Sequence, residues 1–561
     1  MYSDKISANI LASLFLAKGI TKVVACPGSR NIPLLGTLAQ TDGISCYPVT
    51  DERSAAFYAL GMALAAGEPV AVCVTSGSAL LNTLPAVAEA YYRNVPLIIV
   101  SADRPKEWIN RNEGQTMPQH GVCQGLFRQE VDVDEVEEKD KSAADYATLL
   151  INKALNACTA GEGGPVHVNM HFDEPLFAFN TGSLPQARNI SRVIDNDICN
   201  DECQRVIDEF ISSERKIIVI GQLPYRDGRI DDVLRQLQRY YIVMAENLST
   251  GFCALPLDAV ISAFGKYADS RPVDFVLSLG GNFVSKKIKS FLRSREVMNH
   301  CEVNKDGVAH DTFSCQTTVV RCSALSFLNE LLVRTEHSEA GLGSDRMKEE
   351  WDIVAEKERI TVDDFQPPFS QLFAVKALET SLEDMDYDFA VHYANSMEVR
   401  IGCLYSPNYI WCNRGINGIE GSLSTAAGFS VVYGGMVFCV TGDLSFFYDQ
   451  NALWNSNLKG NLRVMLLNNS KGGIFSQLRG LDLPDRVMGF VEGRHEVNAR
   501  GICEQNDVGY IAASNPEEFR AGMVHFLTEV TTRPMVFEVF TSADDDRMAF
   551  SELNNNINKN I

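Results

Sequence analysis

No stretch of the 561-residue chain approaches the ~18 consecutive apolar residues that a membrane-crossing helix requires. The 15 cysteines include no CxxC pair, and several, such as Cys73 and Cys439, lie inside apolar runs. This argues against a zinc site or a disulfide framework and fits buried thiols in a reducing cytosol. Basic residues are in short supply: 50 Lys and Arg stand against 72 Asp and Glu, a net charge of −22. So acidic a chain does not take nucleic acid or an anionic membrane as its main partner, and any anion it binds needs a local Arg or Lys. There is no full GxGxxG, so the glycines after two apolar runs, Gly221 and Gly280-Gly281, are a weak dinucleotide signal. The apolar stretch Ile10 to Ala17 is short and preceded by Asp4, unlike a signal peptide. Ile6, Ile10 and Leu14 recur at helical spacing, which predicts an amphipathic first helix.

An apolar content of 45% supports large cores, and the length suits roughly three or four domains of ~150 residues. Residues 1 to about 180 alternate helix-like and strand-like segments: strands at Val70 to Val74, Pro96 to Val100 and Val166 to Met170, and helices at Asp51 to Ala66 and Ala79 to Arg93. The acidic run Glu130 to Asp140 reads as a solvated loop or helix face. Residues 181 to 200, with Pro185, Asn189 and Asp195, read as a linker. A second such pattern starts at Lys216, with strands at Lys216 to Ile220 and Phe275 to Leu279, and the Glu/Lys-rich segment Ser338 to Glu358 leads into a third block. The expected class is α/β, three domains, each a mostly parallel sheet flanked by helices. The third block repeats the first: Glu52, an Ala-rich segment, a strand and Thr75-Ser76-Gly77, against Glu420, an Ala-rich segment, a strand and Thr441-Gly442-Asp443. That repetition suggests a duplication.

The most informative stretch is Val437 to Phe475. One apolar run ends at Gly442-Asp443, a helical segment covers Phe446 to Asn455, and a second run, Leu462 to Leu467, ends at Asn468-Asn469. In a parallel sheet both strand ends open on one crevice. Asp443 and Asn469 can then converge on a hard cation, and Mg²⁺ keeps company with oxygen ligands and phosphates. Taken alone, the same residues equally suit a helix cap and a turn. Glu52 begins a helix, where a carboxylate is favoured in any case. Arg30, Arg104, Arg400 and Arg414 lie at strand or loop ends, and arginine pairs with carboxylates through two parallel hydrogen bonds. Four of them in an acidic chain point to a polycarboxylate substrate.

Gly-Asp followed by Asn-Asn at this separation resembles the diphosphate-binding motif of thiamine diphosphate (ThDP) enzymes. Pro27-Gly28-Ser29-Arg30, Asp51-Glu52-Arg53, Thr75-Ser76-Gly77, Ala102-Asp103-Arg104-Pro105, Asn395-Ser396 with Arg400, Asn413-Arg414-Gly415 and Gly442-Asp443-Leu444-Ser445 together resemble one branch of them. That branch is the 2-succinyl-5-enolpyruvyl-6-hydroxy-3-cyclohexene-1-carboxylate (SEPHCHC) synthase family of menaquinone biosynthesis. The resemblance implies the ThDP-binding fold, with a pyrimidine-binding domain over residues 1–180, a middle domain over 181–345 and a diphosphate-binding domain over 346–561. It implies decarboxylation of 2-oxoglutarate and conjugate addition of the succinyl-semialdehyde carbanion to isochorismate. Another ThDP-dependent 2-oxo acid decarboxylase or an acetolactate-type synthase is the alternative. Glu52 would be the catalytic carboxylate against the aminopyrimidine, Ile419 the apolar wedge that bends the cofactor, and Gly442, Asp443 and Asn469 its diphosphate contacts. Asp443, Asn469 and the Lys471 carbonyl would hold Mg²⁺ or Mn²⁺. Asn395, Ser396, Arg400 and Arg414 would take the 2-oxoglutarate side. Ser29, Arg30, Arg104 and Gln115 would face isochorismate, and Lys286 would reach in from the middle domain. The resemblance also implies a cytoplasmic homodimer, or a dimer of dimers, with active sites at the subunit interface.

Overall fold

Seventeen strands form three parallel sheets in the computed structural model, which describes residues 1–137, 139–192, 199–223, 227–251, 255–267, 271–338, 346–477 and 483–559. The first sheet holds β1 (Lys22–Ala25), β2 (Ser45–Pro48), β3 (Val70–Val74), β4 (Leu97–Asp103), β5 (Gln129–Val133) and β6 (Val166–His171), in the order 2-1-3-4-6-5. The second holds β7 (Lys216–Ile220), β8 (Ile242–Ala245), β9 (Val273–Leu279), β10 (Val297–Asn304) and β11 (Thr318–Arg321), in the order 11-10-9-7-8. The third holds β12 (Phe389–Tyr393), β13 (Ile410–Trp411), β14 (Met436–Gly442), β15 (Leu462–Asn468), β16 (Gly509–Ala513) and β17 (Met535–Phe540), in the order 13-12-14-15-17-16. Counted within its own sheet, the third order is also 2-1-3-4-6-5, so the duplicated arithmetic of the sequence is a duplicated topology. Helices cover both faces, which is why β3, β4, β6 and β15 are buried end to end and read as continuous apolar runs.

The two like units pack on each other through their equivalent helices, Glu52–Ala66 and Ser422–Val432. A Cβ at Gly61 would lie 1.9 Å from the Thr425 carbonyl oxygen, and one at Gly428 would lie 1.9 Å from that of Tyr58. Only glycine lets the backbones approach this closely. One buried cluster therefore runs from Val72 and Leu60 through Ala426 and Phe429 to Val437 and Val464. Among the described residues, no helix is long and apolar enough to cross a membrane.

Three local expectations are corrected. The acidic run is partly a strand: in β5, Val131 and Val133 face the core while Glu130 and Asp132 pair with His167 and His171 of β6. The first helix, Ile6–Ala17, is buried on nearly every side rather than along one stripe. The helix after Asp443 is Asp443–Tyr448, followed by a short 3₁₀ turn, Gln450–Leu453. The chain breaks there because Asp449 turns inward to accept from the Ser424 N–H at 2.7 Å and from its hydroxyl at 2.7 Å. The segment leading to the third block is a helix over Arg346–Asp364. Asp195 and residues 339–345, which belong to the two linker readings, lie outside the described residues.

Candidate active site

β14 and β15 are adjacent and parallel, with Gly442 in register with Leu467, so Asp443 and Asn469 emerge at one edge of the third sheet. The Asp443 carboxylate organises the loop around it. It accepts from the Leu444 N–H at 2.7 Å and from the Asn469 and Lys471 N–H groups at 3.2 Å each. Asn469 Nδ2 donates to Asp546 Oδ2 at 2.9 Å, which leaves the amide oxygen as the atom able to meet a cation. Burial pushes the Asp443 carboxyl up, and the surrounding N–H groups with His495 offset this only in part. His495 Nε2 lies 3.3 Å from Asp443 Oδ2.

Sequence reasoning missed Glu398 and Asp546. Glu398 is buried, and its Oε1 sits 2.3 Å from where a Cβ on Gly442 would be, so Gly442 is a close-approach position. Burial, with Asp443 and Asp546 nearby, pushes the Glu398 carboxyl up to about 8. Three buried carboxyls around one glycine-lined loop make an environment that a divalent cation relieves. Among the described residues, no group of three His, Cys, Asp or Glu is placed to hold a metal. The Asp443 carboxylate and the Asn469 amide oxygen are hard oxygen donors of the kind that Mg²⁺ or Mn²⁺ prefers.

A second group surrounds Arg414. Its Nη1 donates to Asn395 Oδ1 at 3.0 Å and its Nη2 to the Phe283 carbonyl at 3.1 Å, while Nε is buried with no hydrogen-bond partner. Arg400 Nη1 reaches the neighbouring Val284 carbonyl at 3.4 Å. Glu246 fixes that segment, accepting from the Val284 N–H at 2.8 Å and the Ser285 N–H at 2.7 Å. Ser396 sits at φ +86° and ψ −120°, a backbone conformation L residues rarely adopt. Such strain costs about 1–3 kcal/mol and clusters at functional sites. Lys286 begins the helix Lys286–Arg293 and is exposed; Lys289, one turn on, lies close enough to Arg414 to be lowered by it, after burial and Arg293.

The middle sheet holds this loop in place. Gln222 donates to the Cys412 carbonyl at 2.8 Å, and Asn282 donates to the carbonyls of Arg414 at 3.0 Å and Gly415 at 2.8 Å. The strand-end glycines that hinted weakly at a dinucleotide thus lie beside a clasp on the Arg414 loop. From the first unit, buried Glu89 accepts from the Gly415 N–H at 2.8 Å and the Ile416 N–H at 2.9 Å. Ile419 follows at the surface, its carbonyl accepting from the Ser445 hydroxyl.

The third group lies at the carboxyl ends of the first sheet. Arg30 is buried, donating to the Phe172 carbonyl at 3.0 Å and pairing with Glu174 at 3.3 Å. Burial, and then the Arg104 charge beside it, lowers Arg30, so these two arginines share a region. Gln115 packs its backbone against Gly77, and Ser29 is exposed next to Arg30. Glu52 is half-buried, with Asn82 Nδ2 3.4 Å from its carboxylate. Its neighbours tie to the third unit: Arg53 donates to the Tyr448 carbonyl at 2.6 Å, and Asn451 donates to Asp51 at 2.8 Å.

Residues 7–132 match the profile of the thiamine pyrophosphate enzyme N-terminal TPP binding domain. The chain is 37% identical over 555 residues to the protein named 2-succinyl-5-enolpyruvyl-6-hydroxy-3-cyclohexene-1-carboxylate synthase from Bacteroides thetaiotaomicron, covering 97% of this chain and 98% of that one. It is 36% identical over 561 residues to the protein of that name from Phocaeicola vulgatus, with 98% of each covered. The Porphyromonas gingivalis protein of that name is 36% identical over 557 residues, with 96% of this chain and 95% of that one covered. Likeness over the whole length, with strand-end motifs gathered at the edges of duplicated parallel sheets, means that the chain belongs to the 2-succinyl-5-enolpyruvyl-6-hydroxy-3-cyclohexene-1-carboxylate synthase family of thiamine diphosphate enzymes.

Proposed function

We propose that the chain decarboxylates 2-oxoglutarate and adds the four-carbon remainder to the conjugated double bond of isochorismate, in menaquinone biosynthesis. The observation that carries this reading is Arg414. A buried guanidinium nitrogen without a partner is an unmet donor costing about 1–3 kcal/mol, and a substrate carboxylate satisfies it. Its neighbours Ser396 and Arg400 complete a site for one dicarboxylate, with Asn395 holding Arg414 in place. Ser29, Arg30, Arg104 and Gln115, at the edge of another sheet, would form the site for the second, and Lys286 would reach into the active site from the middle domain.

Asp443, Asn469 and the Lys471 carbonyl would hold Mg²⁺ or Mn²⁺, and through it the diphosphate. When bound, ThDP supplies the nucleophilic carbon and the electron sink that decarboxylation needs. Glu52 would accept the hydrogen bond of the aminopyrimidine ring nitrogen, favouring the tautomer whose exocyclic nitrogen takes a proton. Ile419 would bend the cofactor by contact. The arginines orient each carboxylate and exclude water by pairing it.

Glu52 and Asp443 would serve opposite ends of one cofactor, and the likeness to the family favours a two-fold homodimer, or a dimer of dimers, in which Glu52 of one subunit faces Asp443 of the other. We assign residues 1–180 to pyrimidine binding, 181–345 to the middle domain and 346–561 to diphosphate binding, and place the protein in the cytosol, where its free thiols stay reduced. The test is CO₂ release from 2-oxoglutarate with ThDP and Mg²⁺. Release that requires isochorismate supports the reading; release with pyruvate but not 2-oxoglutarate overturns it.

A further inference from the structure

Beneath Arg104 the carboxyl halves of β4, β5 and β6 enclose a polar network. Ser101 donates to Asn169 Oδ1 at 2.7 Å, and Asn169 Nδ2 donates to Asp103 Oδ2 at 3.0 Å and Asp132 Oδ1 at 2.9 Å. Gln119 donates to Asn169 Oδ1 at 2.7 Å and accepts from the Gly77 N–H at 2.6 Å. His171 closes this network at the end of β6 and is 3% exposed. Its Nδ1 lies 2.5 Å from the Arg104 carbonyl oxygen, and its Nε2 lies 2.7 Å from Asp132 Oδ1.

The Arg104 carbonyl cannot donate, and neither can Asp132 in the ionised form its partners favour, so both contacts are satisfied together when both ring nitrogens carry hydrogen, as in an imidazolium. Asp132 balances the charge and is itself braced by Lys106 Nζ at 3.0 Å, which also pairs with Asp134. Burial works against a charged ring, but the bonds to Asp132 and the Arg104 carbonyl, with Asp103 behind them, hold His171 above the ordinary histidine range. The Arg104 peptide is thus gripped on both sides: Asp103 Oδ1 accepts its N–H at 2.8 Å, and His171 donates to its carbonyl. The guanidinium, by contrast, makes one long bond, Nε to the Gly114 carbonyl at 3.3 Å. Backbone fixed and head group nearly free is the arrangement of an arginine kept for a ligand.

We propose that His171 is the positioning residue for Arg104: donating from both ring nitrogens, it ties the Arg104 carbonyl to Asp132 and so aims the guanidinium at the acceptor dicarboxylate. This rests on the reading that Arg104 holds isochorismate. As pH rises through the elevated His171 value, the ring keeps one hydrogen and one acceptor loses its donor. Carboxylates are already ionised there, so an alkaline rise in the isochorismate KM belongs to the protein.

The experiment measures KM for each substrate from about pH 6 to about pH 9 in wild type, His171→Gln, His171→Asn and Arg104→Ala, with ThDP affinity followed by intrinsic fluorescence. Gln places its donor toward Asp132 and abandons the Arg104 carbonyl; Asn places its donor near the Nδ1 position and keeps it. His171→Gln should raise the isochorismate KM about ten-fold and leave the 2-oxoglutarate KM and ThDP affinity unchanged. His171→Asn should stay within about three-fold of wild type and lose the alkaline rise. An isochorismate KM within about two-fold of wild type in His171→Gln, or an equal rise in both KM values, overturns the proposal. If Arg104→Ala raises the isochorismate KM while His171→Gln does not, only the positioning role fails; if Arg104→Ala does not raise it, the reading of Arg104 fails as well. Should His171→Gln not fold, His171→Asn decides: an isochorismate KM raised about ten-fold in that variant, although it keeps the donor to the Arg104 carbonyl, overturns the proposal.

Discussion

Replacing Arg414 with alanine separates substrate binding from structure. The guanidinium makes two bonds to the protein, to Asn395 Oδ1 and to the Phe283 carbonyl, and keeps Nε for a ligand. Losing the protein bonds costs roughly 0.5–1.5 kcal/mol each and appears as a lower melting temperature. The loop itself stays in place, because Asn395 Nδ2 still donates to the Asn413 and Gly418 carbonyls and Glu89 still holds Gly415 and Ile416. Losing the charge-assisted bond to substrate costs roughly 1.5–3 kcal/mol, about ten- to a hundred-fold in kcat/KM. Varying one substrate at a time should place that loss on 2-oxoglutarate. Arg414→Lys keeps a charge without the planar fork and should fall between wild type and alanine. A loss confined to isochorismate, or a kcat/KM for 2-oxoglutarate within about two-fold of wild type, refutes the assignment.

Asp443→Ala should abolish ThDP binding at fixed Mg²⁺, because the proposed cation site would lose its one carboxylate; titration by fluorescence quenching checks this, and unchanged affinity removes the metal assignment. Glu52→Gln should bind ThDP but activate it slowly, read as hydrogen–deuterium exchange at the thiazolium carbon, and exchange at the wild-type rate would exclude Glu52. Co-expressed Glu52→Gln and Asp443→Ala chains, each inactive alone, should regain activity in purified mixed dimers, since one of the two sites is then intact; dead mixed dimers mean that each chain builds its own site. Gly61→Ala drives a Cβ against the Thr425 carbonyl and should lower stability by at least ~1–3 kcal/mol, visible in thermal melting.

The placement of many candidate residues at strand ends is legible in the sequence because it is local. Gly442-Asp443, Asn468-Asn469, Asp103-Arg104 and Asn413-Arg414 each sit where an apolar strand stops, and a parallel sheet brings such ends to one edge without further information. The duplication was readable because the same turn chemistry follows the same strand in both units. What escaped depends on partners distant in sequence. The alternation Gln129–Val133 reads as solvated acid because its histidine partners arrive some 37 to 39 residues later on β6. Glu89 looks like any helix carboxylate until Gly415 and Ile416, more than 320 residues on, present their N–H groups. Glu398 is a helix-start glutamate in sequence and a buried neighbour of Asp443 only in space. The helix after Asp443 stopped early because Asp449 found Ser424 on another helix, a tertiary contact that outweighs local propensity.

Tracing ¹³C from 2-oxoglutarate tests the central claim most directly. With ThDP, Mg²⁺ and isochorismate present, label at C1 should leave as CO₂, one molecule per isochorismate consumed, and label at C5 should stay in a product that joins the two substrates. Labelled CO₂ released while isochorismate remains intact, or a product that lacks the C5 label, would contradict it.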